Sequence, residues 1–285
     1  NGRAITGLTQ GIFRNYLFPV YSPSGVPLTS ESPSDHPHHN SVVVSADTVF
    51  VKLPAQIPTL SKEPEEATYN LYVNNVFQGR APGRIWATNF KAQEIAPDHL
   101  RLIQSLQWQG PEEWGAPPDI GRRVIAEETR TFDIYPGEVA NIIDLRSQLR
   151  PTNWDLTIGP ARHAYFTIRV EDSLRPWGGG EMVDSRGRSG EKEISGSTAD
   201  WVDISGQASH GFNAGVTVML HPTTANSPLY CADYGTISIN PFMSTKGVIN
   251  QGKELDLGIR LIAHDGNQEE AKIVDEFERY KATWK

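Results

Sequence analysis

The chain has 285 residues and a formal net charge of −8. No apolar run approaches the ~18 residues that cross a membrane, and no Lys/Arg-rich tract offers the concentrated basic surface that nucleic acid requires. The expected partner is therefore a small molecule or sugar, with neither nucleic acid nor membrane; oligomeric state is not legible.

The length suits one large all-β unit spanning 1–285. The single cysteine, Cys231, cannot form an internal disulfide, and a lone cysteine of this kind is expected as a small buried hydrophobe. No secretory signal is visible, so a cytoplasmic location is the expectation, with secreted or periplasmic ones left open.

Strand signals dominate. Residues 41–45 and 48–51 are β-branched and apolar around a turn-like Ala46-Asp47. Residues 68–73 and 100–108 alternate polar and apolar, as half-buried strands do. Residues 123–134 and 139–145 flank Tyr135-Pro136-Gly137-Glu138, whose chemistry is that of a hairpin turn. Strands over 164–170, 216–220, 236–239 and 255–263 complete the set, at spacings typical of antiparallel sandwiches. The predicted helix covers 268–280, with Ala271, Val274, Phe277 and Tyr280 on one face and Asn267 as its cap. The fold expected is an antiparallel β-sandwich, of the large mutarotase-like supersandwich kind, with a C-terminal helix.

Two long irregular stretches interrupt this pattern. Residues 21–37 are rich in Ser and Pro, and residues 177–198 in Gly, Ser and charge. Long loops in compact domains are usually functional or disordered. The first leads into a histidine cluster; the second reads as a mobile lid or a disordered excursion.

Three of the eight histidines fall within the string Asp35-His36-Pro37-His38-His39. Buried neutral imidazoles need hydrogen-bond partners and gain little as packing, so such density asks for a reason. One reading is a divalent metal site at His36, His38 and His39. On an extended segment His36 and His38 project to the same side, but the local carboxylate is missing, so Asp35 or a distant His163, His221 or His264 would complete it. A second reading is metal-free acid–base chemistry, with His38 or His39 moving the proton and Asp35 orienting the ring. The third is a loop held by imidazole–backbone hydrogen bonds.

Other signals are weaker. There is no Gly-x-Ser-x-Gly elbow, P-loop or dinucleotide fingerprint. Taken singly, His210, His221 and His264 read as satisfied core or surface residues, and Asp203 reads as solvent-facing. The seven Trp and nine Tyr offer surfaces that suit sugar faces.

The segments Arg14-Asn15-Tyr16-Leu17-Phe18-Pro19, Ser22-Pro23-Ser24-Gly25-Val26-Pro27-Leu28-Thr29 and Asp35-His36-Pro37-His38-His39 resemble the start of bacterial proteins labelled "methane oxygenase PmoA-like". Later pieces resemble the same family: Glu128-Thr129-Arg130, Trp201-Val202-Asp203-Ile204-Ser205-Gly206, Asp233-Tyr234-Gly235 and Asn240-Pro241-Phe242. Two departures are present. Leu220-His221-Pro222 stands where the family tends to have Asp-His-Pro, and Ala232 where it tends to have a basic residue. A particulate methane oxygenase subunit is a membrane protein, so the label does not fix the reaction. The resemblance implies a carbohydrate-related role, because members sit beside sugar-processing proteins.

The function expected is an enzyme cleaving a sugar or glycoside, by hydrolysis or elimination. His38 or His39 would be the acid/base, with Asp35 as its partner. Arg14, Tyr16 and His36 would contact substrate, with His221 and Tyr234 approaching from the far side of the cleft. A sugar isomerase or mutarotase and a non-catalytic carbohydrate-binding protein are the alternatives.

Overall fold

Alternating apolar positions and β-branched runs drive most of the chain into strands, and these form three sheets in a computed structural model that describes residues 2–53, 65–113, 121–208 and 211–284. A six-stranded sheet runs in the order Thr6–Gln10, Asn15–Val20, Val42–Ala46, Ala164–Arg169, Thr236–Ile239, Leu229–Ala232. An eight-stranded sheet runs Glu181–Asp184, Trp201–Gln207, Asn213–Leu220, Leu255–Asp265, Ala140–Pro151, Gly121–Tyr135, His99–Glu113, Arg84–Ala96. The five-stranded sheet is Gly247–Ile249, Leu156–Ile158, Val49–Leu53, Glu65–Asn70, Ala81–Pro82. Pairing is antiparallel throughout the described strands, except for the short parallel contact of Tyr69 with Ala81.

One apolar core draws on all three sheets. Leu17, Val44 and Phe166 come from the first, Ile134, Val216 and Leu261 from the second, and Val51 and Ile158 from the third. Each such side chain stabilises the fold by about 1.5–3 kcal/mol on burial. The expected sandwich with a C-terminal helix is therefore the architecture present. The hairpin at 135–138 is present too, with Ile142 opposite Tyr135. Val42–Ala46 and Val49–Leu53 lie in different sheets, so Asp47 sits where the chain crosses between them.

A buried polar network ties the large sheet to the six-stranded one. Glu128 accepts from both Arg130 Nε and Arg130 Nη2 at 2.8 Å, and from Trp108 and Ser147. Arg130 Nη1 then donates to the Asn15 carbonyl at 3.1 Å, fixing the chain beside Arg14.

Three expectations need correction. The helix is Ile273–Ala282, and Val274 is 62% exposed; Ala271, Ile273, Phe277 and Tyr280 are the buried residues that cover Trp201, Met219 and Ile262. Asn267 Oδ1 does accept from the Glu269 and Glu270 amides, but this caps the turn that precedes the helix. Residues 177–198 are not a disordered excursion. They hold the strand Glu181–Asp184, paired with Trp201–Gln207, and the short helix Gly190–Ile194. The buried Asp184 carboxylate accepts the amides of Arg186 and Arg188 and the Arg188 guanidinium, which ties this charged segment into a turn. Asp203 is fully buried rather than solvent-facing, because His264 Nε2 lies 2.8 Å and Thr217 Oγ1 2.7 Å from its Oδ1.

Among the described residues no helix is long and apolar enough to cross a membrane.

Candidate active site

The histidine string is a pair of turns, not an extended segment. The His36 amide donates to the Pro33 carbonyl at 3.1 Å, and the His39 amide to the His36 carbonyl at 2.9 Å. Pro37 is the second residue of the latter turn, where its fixed φ is favourable. This geometry replaces the expected same-side pairing of His36 and His38. Instead the rings of His36 and His39 stack at 4.7 Å and 16°. The His38 ring stands edge-on to both, 5.8 Å from His36 and 4.6 Å from His39.

Distant segments complete the cluster. Asn70 Oδ1 accepts the amides of Tyr72 and Val73, a local turn that ends the strand Glu65–Asn70 and fixes Tyr72. The Tyr72 hydroxyl lies 2.9 Å from His39 Nε2, and the Tyr72 ring stacks on His163 at 4.8 Å. The His163 loop is pinned by Asn240 Nδ2, which donates to the carbonyls of Ala161 and Arg162. Arg162 donates to the Tyr230 hydroxyl at 2.8 Å, and that hydroxyl is 3.0 Å from the Tyr234 hydroxyl. Tyr234 stacks on His36 at 4.4 Å. Its neighbour Gly235 has φ +94°, and a Cβ there would come within 2.9 Å of both Arg175 and Val170. Only glycine closes this hairpin and leaves Tyr234 in place.

Asp35 serves a different histidine from the one expected. It lies 3.0 Å from His36 Nδ1 and accepts Arg169 Nη2 through both oxygens, at 2.9 and 3.0 Å. The Arg169 side chain is fully buried at the end of Ala164–Arg169, and its Cζ sits 5.3 Å above the Tyr234 ring. Asp172 lies 3.4 Å from Arg169 and 3.3 Å from Arg175. Burial pushes the Asp35 carboxyl up, but hydrogen bonds and charge from His36 and Arg169 outweigh it and hold it at about 2. The dyad is therefore Asp35–His36: the carboxylate bonds to that ring and acts on His38 only through its charge, because the turn directs the His38 ring elsewhere.

Burial, reinforced by the charges of Arg14 and His36, lowers His38 to about 4. Burial and its histidine neighbours lower His39 to about 2. Both imidazoles are neutral at neutral pH. Burial raises the phenols of Tyr72 and Tyr234, so both keep their protons. The arrangement thus sets neutral bases beside phenol donors and an aspartate-held imidazole, which is acid–base equipment.

Arg14 is buried, with Nε on Asn40 Oδ1 at 3.1 Å, Nη2 on the His38 carbonyl at 3.0 Å, and a further bond to Asn74. Tyr16, two residues along the same strand, is committed to Glu31 and makes no ring contact with the cluster among the described residues. His221 does not reach the site. Pro222 turns the chain there, His221 Nδ1 accepts from the Thr223 amide and so caps Pro222–Thr224, and the ring lines a separate cavity of about 570 Å³ with Arg146, Tyr280 and Trp284. His264 belongs to the Asp203 pair, and His210 lies outside the described residues. Among the described residues no three His, Cys, Asp or Glu side chains are arranged to hold a metal ion. The stacked rings of His36 and His39 lie in nearly parallel planes, a poor geometry for convergence on one ion. Sequence reasoning missed Tyr72, Tyr230, Arg162 and Arg169, and treated His163 only as a distant metal ligand. An arginine ending the mostly apolar strand Ala164–Arg169 was the one available signal.

No curated protein matched the chain. Among solved structures it is similar to the α-galactosidase from Lactobacillus brevis, with 10% identity and a TM-score of 0.33 over 68% of this chain. The chain spans 28% of that enzyme's length. The family model described as a family of unknown function, DUF6807, matches residues 7–278, and the chain belongs to that family.

Proposed function

We propose that the protein is an acid–base enzyme acting on a sugar or glycoside, by hydrolysis or elimination, at the site built around His36, His38 and His39. The observation that carries this reading is the packing of the three imidazoles with the phenols of Tyr72 and Tyr234, one bonded to His39 and the other stacked on His36. His38 is the candidate base because its ring is partly accessible, whereas His39 is buried against Tyr72. His36, held by Asp35, is the candidate proton donor. General acid–base groups placed in this way contribute typically ~10²–10⁴-fold to rate.

A sugar substrate is supported by Trp177. Its ring is 67% exposed and lies 6.0 Å from Tyr234 at the edge of the cluster. An exposed indole beside polar groups suits the apolar face of a sugar ring.

The test is turnover of a glycoside panel by wild type and His38→Ala. Turnover that falls by roughly 10²-fold or more, with an unchanged thermal midpoint, is the expected result. Recovery of bound sugars chemically unchanged would mark a binding protein and remove the enzyme reading.

A further inference from the structure

The site carries a cation that no carboxylate among the described residues balances. Arg169 and Arg175 face Asp35 and Asp172, and Arg80 Nη2 pairs with Asp47 at 2.7 Å. Arg14 has no such partner among the described residues. Its residue is 2% exposed, its contacts are the neutral oxygens of Asn40, His38 and Asn74, and its Nη1 meets no acceptor. A buried charge without a counter-ion is costly. The uncompensated charge is notable in a chain whose net charge is −8. Arg162, exposed on the other side of the cluster, likewise meets a neutral group, the Tyr230 hydroxyl.

Resting on the sugar-enzyme reading above, we infer that the substrate carries a carboxylate, as a sugar acid does, and that this group docks against His38 within the field of Arg14. The neighbouring imidazoles favour the same assignment. His38 and His39 are held neutral, so they neither compete for the anion as cations nor repel Arg14. The one buried free charge favours a monoanion, because Arg162 is exposed and its charge is screened by water. A phosphate monoester carries about −1.5 to −2 at neutral pH, whereas the other buried guanidinium of the site, Arg169, is already neutralised by Asp35.

The experiment is calorimetric titration of the full chain with D-glucuronate, D-glucose, D-glucose 6-phosphate and acetate. Glucuronate is expected to bind at least about tenfold more tightly than glucose. In Arg14→Gln this preference should fall to near parity, while Arg14→Lys should retain part of it. Circular dichroism checks that both variants fold. Should Arg14→Gln not fold, rising ionic strength with wild type gives the second readout: glucuronate binding weakens and glucose binding does not. Equal affinity for glucose and glucuronate would overturn the inference and leave the sugar-enzyme reading standing. Binding of the phosphate ester without the uronate would overturn the carboxylate assignment. Arg14-dependent binding of acetate with no affinity for any of the sugars would keep the anion site and overturn the sugar reading. Failure of every probe to bind would overturn both.

Discussion

His39 Nε2 and the Tyr72 hydroxyl form a buried hydrogen bond of 2.9 Å, while the other ring nitrogen, Nδ1, has no partner among the described residues. Two segments separated by 33 positions are thereby joined at the centre of the site. Tyr72→Phe removes the hydroxyl and leaves both imidazole nitrogens without a protein partner. A loss of about 1–3 kcal/mol in denaturant stability is expected. His39→Phe, which removes the stranded polar ring together with its partner's role, should restore part of that loss in the Tyr72→Phe background. Simple additivity of the two changes would argue against a coupled pair.

The pH dependence follows from the depressed histidines. The fold favours neutral His38, which titrates at about 4, and neutral His39, at about 2. Unfolded histidine binds its proton near 6.5. Below about 6.5 the unfolded chain therefore holds more protons than the native one, and stability falls as pH drops. The contribution is fully present above about 6.5 and is lost progressively towards the folded values. Each histidine adds up to about 1.4 kcal/mol per pH unit in that window. Denaturant midpoints between about pH 5 and 7 should fall less steeply in His38→Gln and His39→Gln than in wild type. For activity, kcat/KM should have an acid limb near the His38 value of about 4, and Arg14→Gln should move it upward, since removing a positive neighbour favours the imidazolium.

Asp35→Asn tests the dyad as the structure draws it. The change removes the charge that faces Arg169, whose side chain is fully buried, and weakens the anchor of His36. Asp35 is itself partly exposed, so water offsets some of the loss; about 1–3 kcal/mol is expected. If His36 is the proton donor, turnover should fall by roughly 10²-fold or more, with the limb assigned to His38 moving only slightly to lower pH as the weak support of Asp35 is lost. A shift of that limb with no loss of maximal turnover would reassign Asp35 to His38.

Why the fold was more legible than the site is a matter of range. The alternation through 121–135 and 140–151, joined at Tyr135-Pro136-Gly137-Glu138, is a local pattern, and it pairs in the structure as expected. The string Asp35-His36-Pro37-His38-His39 was equally visible, but its turn geometry was not: treating it as extended gave the wrong ring pairing and the wrong partner for Asp35. Tyr72, His163, Arg169 and Tyr230 meet the cluster only because three strand connections and a hairpin converge there. Apart from the arginine that ends an apolar-rich strand, nothing in their immediate neighbours marks them. His221 failed for the converse reason, since a suggestive Leu220-His221-Pro222 is satisfied locally as a cap.

Asp203→Asn provides a contrast far from the proposed chemistry. Asp203 and His264 are both fully buried, 2.8 Å apart, and among the described residues they make no hydrogen bond to the histidine cluster. Burial opposes the His264 charge, but Asp203 outweighs it and raises the imidazole above its ordinary value. The stabilisation is present below about 6.5 and is lost as pH rises through the folded value. Asp203→Asn should cost about 3–5 kcal/mol in mildly acidic buffer, with a smaller deficit in alkaline buffer. Ligand affinity at temperatures where the variant is folded should match wild type. An equal loss of binding would connect this pair to the site.

Trp177→Ala asks whether the exposed indole is a sugar platform. The ring is 67% exposed and packs edge-on near Tyr234, so removing it forfeits little burial. Surface substitutions of this kind usually change stability by no more than about 0.5 kcal/mol, and the thermal midpoint should stay close to wild type. A sugar stacked on the indole would lose an aromatic contact of about 0.5–1.5 kcal/mol, which corresponds to a rise in KM of up to about tenfold. Such a contact is made equally in the ground and transition states, so kcat should hold while KM rises. Steady-state kinetics and calorimetry on the same preparation measure both. A fall in kcat at constant KM would place the indole on the reacting part of the substrate, and unchanged kinetics would remove Trp177 from the binding surface.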